Sequence, residues 1–109
     1  MSKSSITIRN NAIPKRVTTH PGEVIAEEFL APLGVSVNAL ALALRVPATR
    51  IGAIVKGERS VTADTALRLA RFFGTSAEFW MNLQAMRDLS KANLESGASI
   101  KRDVRPSTA

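Results

Sequence analysis

The stretch VSVNALALALRVPATRIGAIVKG, residues 35–57, restricts the fold more than any other part of the chain. Val37, Leu40, Ala41 and Leu44 recur at i, i+3, i+4 and i+7, which puts them on one face of a short helix. Ile51, Ile54 and Val55 do the same for a second helix. Val46 and Pro47 separate the two, and the proline ring presets a helical φ, so Pro47 is expected to open the second helix. Two apolar-faced helices joined this closely must pack at a steep angle, as a helix-turn-helix. The outward side chains of the second helix are then Thr49, Arg50, Ala53 and Lys56. They are small, hydroxylic or basic, so nothing bulky or acidic bars that helix from a DNA major groove.

Charge is distributed to match. The 109 residues carry a formal charge of +6. No acid precedes Glu23, whereas Lys3, Arg9, Lys15 and Arg16 do. Between Glu28 and Glu58 there is again no acid, but Arg45, Arg50 and Lys56 lie there. The two-helix unit is positive where it would meet phosphate.

The length suits one domain. A core of this size can fold alone, and dimerisation would add stability to it. Cysteine is absent, which removes disulfides and cysteine-based metal sites. No apolar run approaches the roughly 20 residues that cross a bilayer. The opening MSKSSITIRNNAIPKR lacks the apolar core of a signal peptide. The chain is therefore expected to be cytoplasmic, with no membrane partner.

Helix signals punctuate the rest. Residues 1–19 read as a basic arm, in which Ile6, Thr7 and Ile8 suit a brief strand. A first helix is expected from Pro21 to Leu33, with Val24, Ile25, Ala26, Phe29, Leu30 and Leu33 apolar and Gly34 as its stop. Ser36 caps the second helix, and Gly57 ends the third in a left-handed turn. Thr62 caps a fourth, whose inner stripe is Ala63, Ala66, Leu67, Ala70 and Phe73. Gly74 stops it. Ser76 caps a fifth, with Phe79, Trp80, Leu83, Met86 and Leu89 on its apolar face, closed near Leu94 by Ser96 and Gly97. Trp80, Met81, Leu83 and Met86 exceed what a small core needs and are assigned in part to a partner surface. The chain thus divides into an arm (1–19), a helix-turn-helix domain (20–95) and a flexible tail (96–109). The fold class is all-α, with five helices.

Catalysis is not expected. The sole histidine, His20, precedes Pro21 at a helix start and reads as a capping or packing residue. No cysteine or tyrosine is present, the carboxylates form no metal-ligand set, and no glycine-rich phosphate loop occurs. Neither a metal nor a cofactor is implied.

Three runs together carry a family resemblance: HPGEVIAEEFLAPLGVS (His20 to Ser36), the two-helix unit, and VTADTALRLARFFGTSAEFWMNLQ (Val61 to Gln84). They resemble the HigA-type antitoxins of bacterial toxin–antitoxin operons, within the Cro/C1-like (XRE) helix-turn-helix superfamily, over about His20 to Leu89. The resemblance implies a Cro/C1-repressor-like domain that binds operator DNA as a homodimer and represses its own operon. It also implies that the chain binds and silences a small RelE-like toxin that cleaves messenger RNA. Two further readings stay open: a stand-alone XRE-type regulator, and a toxin-binding module that hardly reads DNA.

By position, the resemblance assigns phosphate contacts to the start of the second helix, at Ser36, Val37 and Asn38. A glutamine is common in the superfamily where this chain has Val37, which leaves Ser36 and Asn38. On the recognition helix the matching positions are Ala48, Thr49, Arg50 and Ala53. Arg50 is suited to a bidentate contact with a guanine edge or to a phosphate, and Thr49 to a base or a phosphate. Lys56 and Arg59 follow the helix as phosphate binders. Arg45 stands where glycine is usual and is expected to carry a left-handed conformation. Gly52 and Ala53 replace polar side chains, so few base-reading groups remain and DNA shape has more to supply.

Overall fold

The computed structural model describes residue 13 and residues 16–108, so the strand expected at Ile6–Ile8 lies outside the described residues. Five helices, and no strand, occur among them. Helix α1 spans Pro21–Leu33, α2 Val37–Leu44, α3 Ala48–Val55, α4 Ala63–Phe73 and α5 Ala77–Asp103.

Helix α1 is regular at its ends but widens to a π-helical stretch over Ile25–Leu30. There the Ala31 N–H reaches back five residues to the Ala26 carbonyl. Pro32 follows directly; it has no N–H to donate, and its ring would strike the carbonyl four residues back in an α-turn. Gly34 then ends the helix at φ 66°, and α2 leaves at 99° to α1.

The caps match the sequence signals. Ser36, Thr62 and Ser76 each accept the backbone N–H three residues on, which satisfies one orphan donor per helix. Gly57 and Gly74 adopt positive φ. Arg45 does so as well, at φ 61°, ψ 44°. Pro47 differs from expectation: its ψ of 142° makes it the residue before α3 rather than its first turn.

The core is one cluster drawn from every helix: Ile25, Leu30, Leu40, Ala41, Leu44, Ile51, Ile54, Val61, Ala66, Leu69 and Trp80. Trp80 is fully buried and anchors α5. Its ring lies 5.3 Å from Phe29 and 4.8 Å from Phe79, centroid to centroid, and its indole N–H donates to Thr75 Oγ1 at 2.7 Å. A buried tryptophan needs such a partner. Trp80 therefore cannot face a partner protein.

Other apolar assignments fail as well: Leu67 is 63%, Leu33 60% and Leu89 51% exposed, and Ala63 and Phe79 are also exposed. The inner face of α4 is Thr65, Ala66 and Leu69, because the helix presents the side that packs on α2 and α5. Nor does α5 close at Ser96 and Gly97: it continues to Asp103. Serine and glycine cost helix propensity but do not break a helix, Ser99 bonds back to the Ser96 carbonyl, and Lys101 and Arg102 complement the C-terminal dipole. The stop comes at Val104, two residues before Pro106. From Lys91 onward α5 contributes nothing to the core.

Candidate nucleic-acid interface

Helices α2 and α3 form the compact corner expected around Val46. The Val46 N–H donates to Ala41 at 3.1 Å, and Leu40, Leu44, Ile51 and Ile54 interlock beneath it. At 100° per residue, burying Ile51 and Ile54 turns Thr49, Gly52, Ala53 and Lys56 to the opposite face. Ala48, Thr49, Lys56 and Arg59 are exposed, and Gly52 and Ala53 half-exposed. A Cβ added at Gly52 would meet nothing within 4 Å. No internal contact therefore calls for a glycine that costs the helix up to about 1 kcal/mol relative to alanine.

Arg50 departs from its expected outward position. It lies at the flank of α3, where its side chain keeps 30% of its accessible surface. Its Nη1 stands 3.9 Å from Asp64 of α4, and its Nε is enclosed without a hydrogen-bond partner. The cause is rotation: residue 50 sits one step round from Thr49 toward the core side, and the start of α4 lies against that flank. Asp64 also accepts from Arg68 Nε at 2.9 Å. Arg68 Nη1 in turn donates to the Leu44 carbonyl, again at 2.9 Å. Arg68 thus ties the last residue of α2 to the carboxylate that faces Arg50.

At the start of α2, Ser36 and Asn38 are exposed and Val37 half-buried. Ser36 Oγ already accepts from the Ala39 N–H at 3.1 Å. Its hydroxyl proton is what it has left for an incoming anion.

The first turn of α1 braces the far end of α3. His20 Nδ1 accepts from the Gly22 N–H at 2.9 Å, capping α1. Pro21 and Gly22 are buried. A Cβ on Gly22 would run into the Ile54 carbonyl oxygen, so only glycine lets α1 lie this close to the recognition helix. The His20 imidazole packs on Gly57 and is held below its ordinary pKa, chiefly by burial and next by the Arg87 guanidinium. Asp88, the Arg59 backbone and Glu23 oppose the shift. Beyond Gly57, the Val61 N–H donates to Gln84 Oε1 at 2.7 Å. The segment bearing Lys56 and Arg59 is therefore held from α1 and from α5. The motif His20-Pro21-Gly22-Glu23 is visible in the sequence, but its contact with Ile54 is not. Asp64 and Gln84 carry no sequence signal that singles them out. Among the described residues, no group of His, Asp or Glu side chains could hold a metal ion, and no single helix is long and apolar enough to cross a membrane.

The fold and this face define a helix-turn-helix protein, and the helix-turn-helix family matches residues 27–80. Virulence-associated protein I of Dichelobacter nodosus is 49% identical over 88 residues, covering 81% of this chain and 79% of that protein. An addiction module antidote protein of the HigA family from Coxiella burnetii superposes with a TM-score of 0.79 at 49% identity, over 84% of this chain and 99% of that one. The Pseudomonas aeruginosa antitoxin HigA, solved with the higBA promoter, gives a TM-score of 0.79 at 44% identity, over 81% and 96%. The chain belongs to the HigA-type antitoxins of the XRE helix-turn-helix family.

Proposed function

We propose that this chain is the antitoxin and autoregulator of a toxin–antitoxin operon. It binds operator DNA as a homodimer, places α3 of each copy in successive major grooves ~34 Å apart, and silences a RelE-like messenger-RNA-cleaving toxin. The observation that carries the DNA half is the outer face of α3. Thr49, Gly52 and Ala53 leave it low and uncharged, Lys56 and Arg59 flank it with positive charge, and the fold itself has no use for Gly52. Ser36 and Asn38 at the start of α2, with Lys56 and Arg59 beyond α3, bind phosphates and set the register. Ala48, Thr49, Arg50 and Ala53 meet the bases. A HigA relative solved with the higBA promoter supports DNA binding by a chain of this fold.

The test is preferential binding: at physiological salt the purified chain should hold its upstream DNA at least about 10³-fold more tightly than random duplex. Equal affinity for both rejects sequence-specific repression.

A second reading, a toxin-binding module with weak DNA recognition, draws on one observation. Arg50, the best-equipped base reader, faces a carboxylate in the protein itself. Co-purification with a small toxin, together with equal affinity for operator and random DNA, would favour it.

A further inference from the structure

We propose that His20 is a positioning residue for operator binding: its neutral ring locks the segment after the recognition helix, and uptake of one proton loosens that segment and weakens DNA binding. The inference rests on the DNA-binding reading above.

The lock has two sides. On one, His20 Nδ1 accepts from Gly22 N–H at 2.9 Å, which requires an unprotonated Nδ1. The ring stands beside Gly57 and lines one pocket with Gly57 and Arg59. On the other side, Gln84 Oε1 takes the Val61 N–H at 2.7 Å, and Gln84 Nε2 donates to Asp88 at 3.0 Å. Of the two cations assigned to phosphate, Arg59 rides on the stretch between these anchors and Lys56 stands directly before it, at the end of α3. Gly22 lies flush on the Ile54 carbonyl, so any shift in the first turn of α1 is felt directly by α3.

Protonation turns this arrangement against itself. An Nδ1–H would point at the Gly22 N–H, setting donor against donor, and a cation would sit at the positive end of α1. The groups facing the ring are Arg87, Asp88 and Lys91 of α5, Glu58 and Arg59 of the segment, and Glu23 of α1. Burial and Arg87 outweigh the carboxylates, so the neutral ring is the folded one. His20 is the sole histidine, and no other side chain has an ordinary pKa in the range between about pH 5 and 8.

The experiment measures operator affinity by fluorescence anisotropy from pH 8 to pH 5.5 at fixed ionic strength, for the full chain and for His20→Asn. Asparagine caps a helix without titrating. The native chain should weaken as pH falls, about tenfold for each unit by which the bound ring's pKa lies below the free ring's. The His20→Asn slope should be flatter. In parallel, the ring of the native chain is titrated by NMR free and operator-bound, where a lower pKa in the complex is expected. Matching slopes in the two proteins, or equal ring pKa values in the free and bound states, overturns the role of His20 while leaving DNA binding intact. Failure of the native chain to bind operator at pH 8 instead removes the DNA reading beneath it.

Discussion

The Asp64 carboxylate stands 3.9 Å from the Arg50 guanidinium, across the gap between the start of α4 and the recognition helix. The pair is loose for a salt bridge, both side chains are partly exposed, and Arg50 Nε has no partner at all. Such a contact contributes little to stability and leaves the guanidinium free to turn toward a base edge. Arg50→Ala should therefore cost about 1–3 kcal/mol on the native operator and relax discrimination at one base pair. The check is a set of operators substituted at each position. Equal losses across the whole set would make Arg50 a phosphate contact.

Gly52 separates stability from binding. Its Cβ position is open, so Gly52→Ala should raise the free energy of unfolding, by up to about 1 kcal/mol. If the groove closes down on this face, the same methyl weakens operator binding, and Gly52→Leu weakens it further. Urea unfolding and operator titration of the two variants check this. Unchanged affinity in Gly52→Leu would mean that the face does not enter the groove.

At Gly22 the sign reverses. There a Cβ meets the Ile54 carbonyl and the Val55 backbone, neither of which can rotate away. Gly22→Ala should destabilise the domain by about 1–3 kcal/mol, the usual cost of overpacking, despite the better helix propensity of alanine. Equilibrium unfolding in urea reads it directly.

Stability should also follow the charge on His20. Its folded pKa lies below the unfolded value of ~6.5, so below that pH the unfolded chain takes up a proton that the native chain refuses. The free energy of unfolding is then complete above about pH 6.5 and is lost as pH falls through the folded pKa. Unfolding midpoints measured between pH 7.5 and 5.5 should decline in the native chain and stay level in His20→Asn.

The helices were legible because local rules decide them. Ser36, Thr62 and Ser76 are caps by chemistry alone, and the spacing of Ile51 and Ile54 orients α3 without knowledge of its neighbours. Arg50 was misplaced because a helical wheel does not say what lies beside it; Asp64 is distant in sequence and reaches that flank only once α4 has packed. Leu67 was misassigned for the same reason, since α4 has two apolar sides and the core takes one. The role of Gly22 needs the position of the Ile54 carbonyl, a tertiary fact. Ser96 and Gly97 misled differently: they are weak helix formers read as a boundary, in a stretch where nothing forces the chain to turn.

That extra length of α5 makes the last prediction. Ser90 is the final buried residue of the helix, and beyond it Leu94 and Ile100 are 65% and 53% exposed. A helical segment of about this length is marginal in water without a surface to pack on. Under the homodimer reading, the second copy supplies that surface through Leu89, Ile100 and their neighbours. Removing residues 95–109 takes nothing from the core cluster, so the truncated chain should still unfold cooperatively while its mass in light scattering falls from dimer to monomer. Operator affinity should drop with it, because two half-sites would no longer be bound by one linked unit. A truncated chain that stays dimeric would assign the dimer surface elsewhere on the domain.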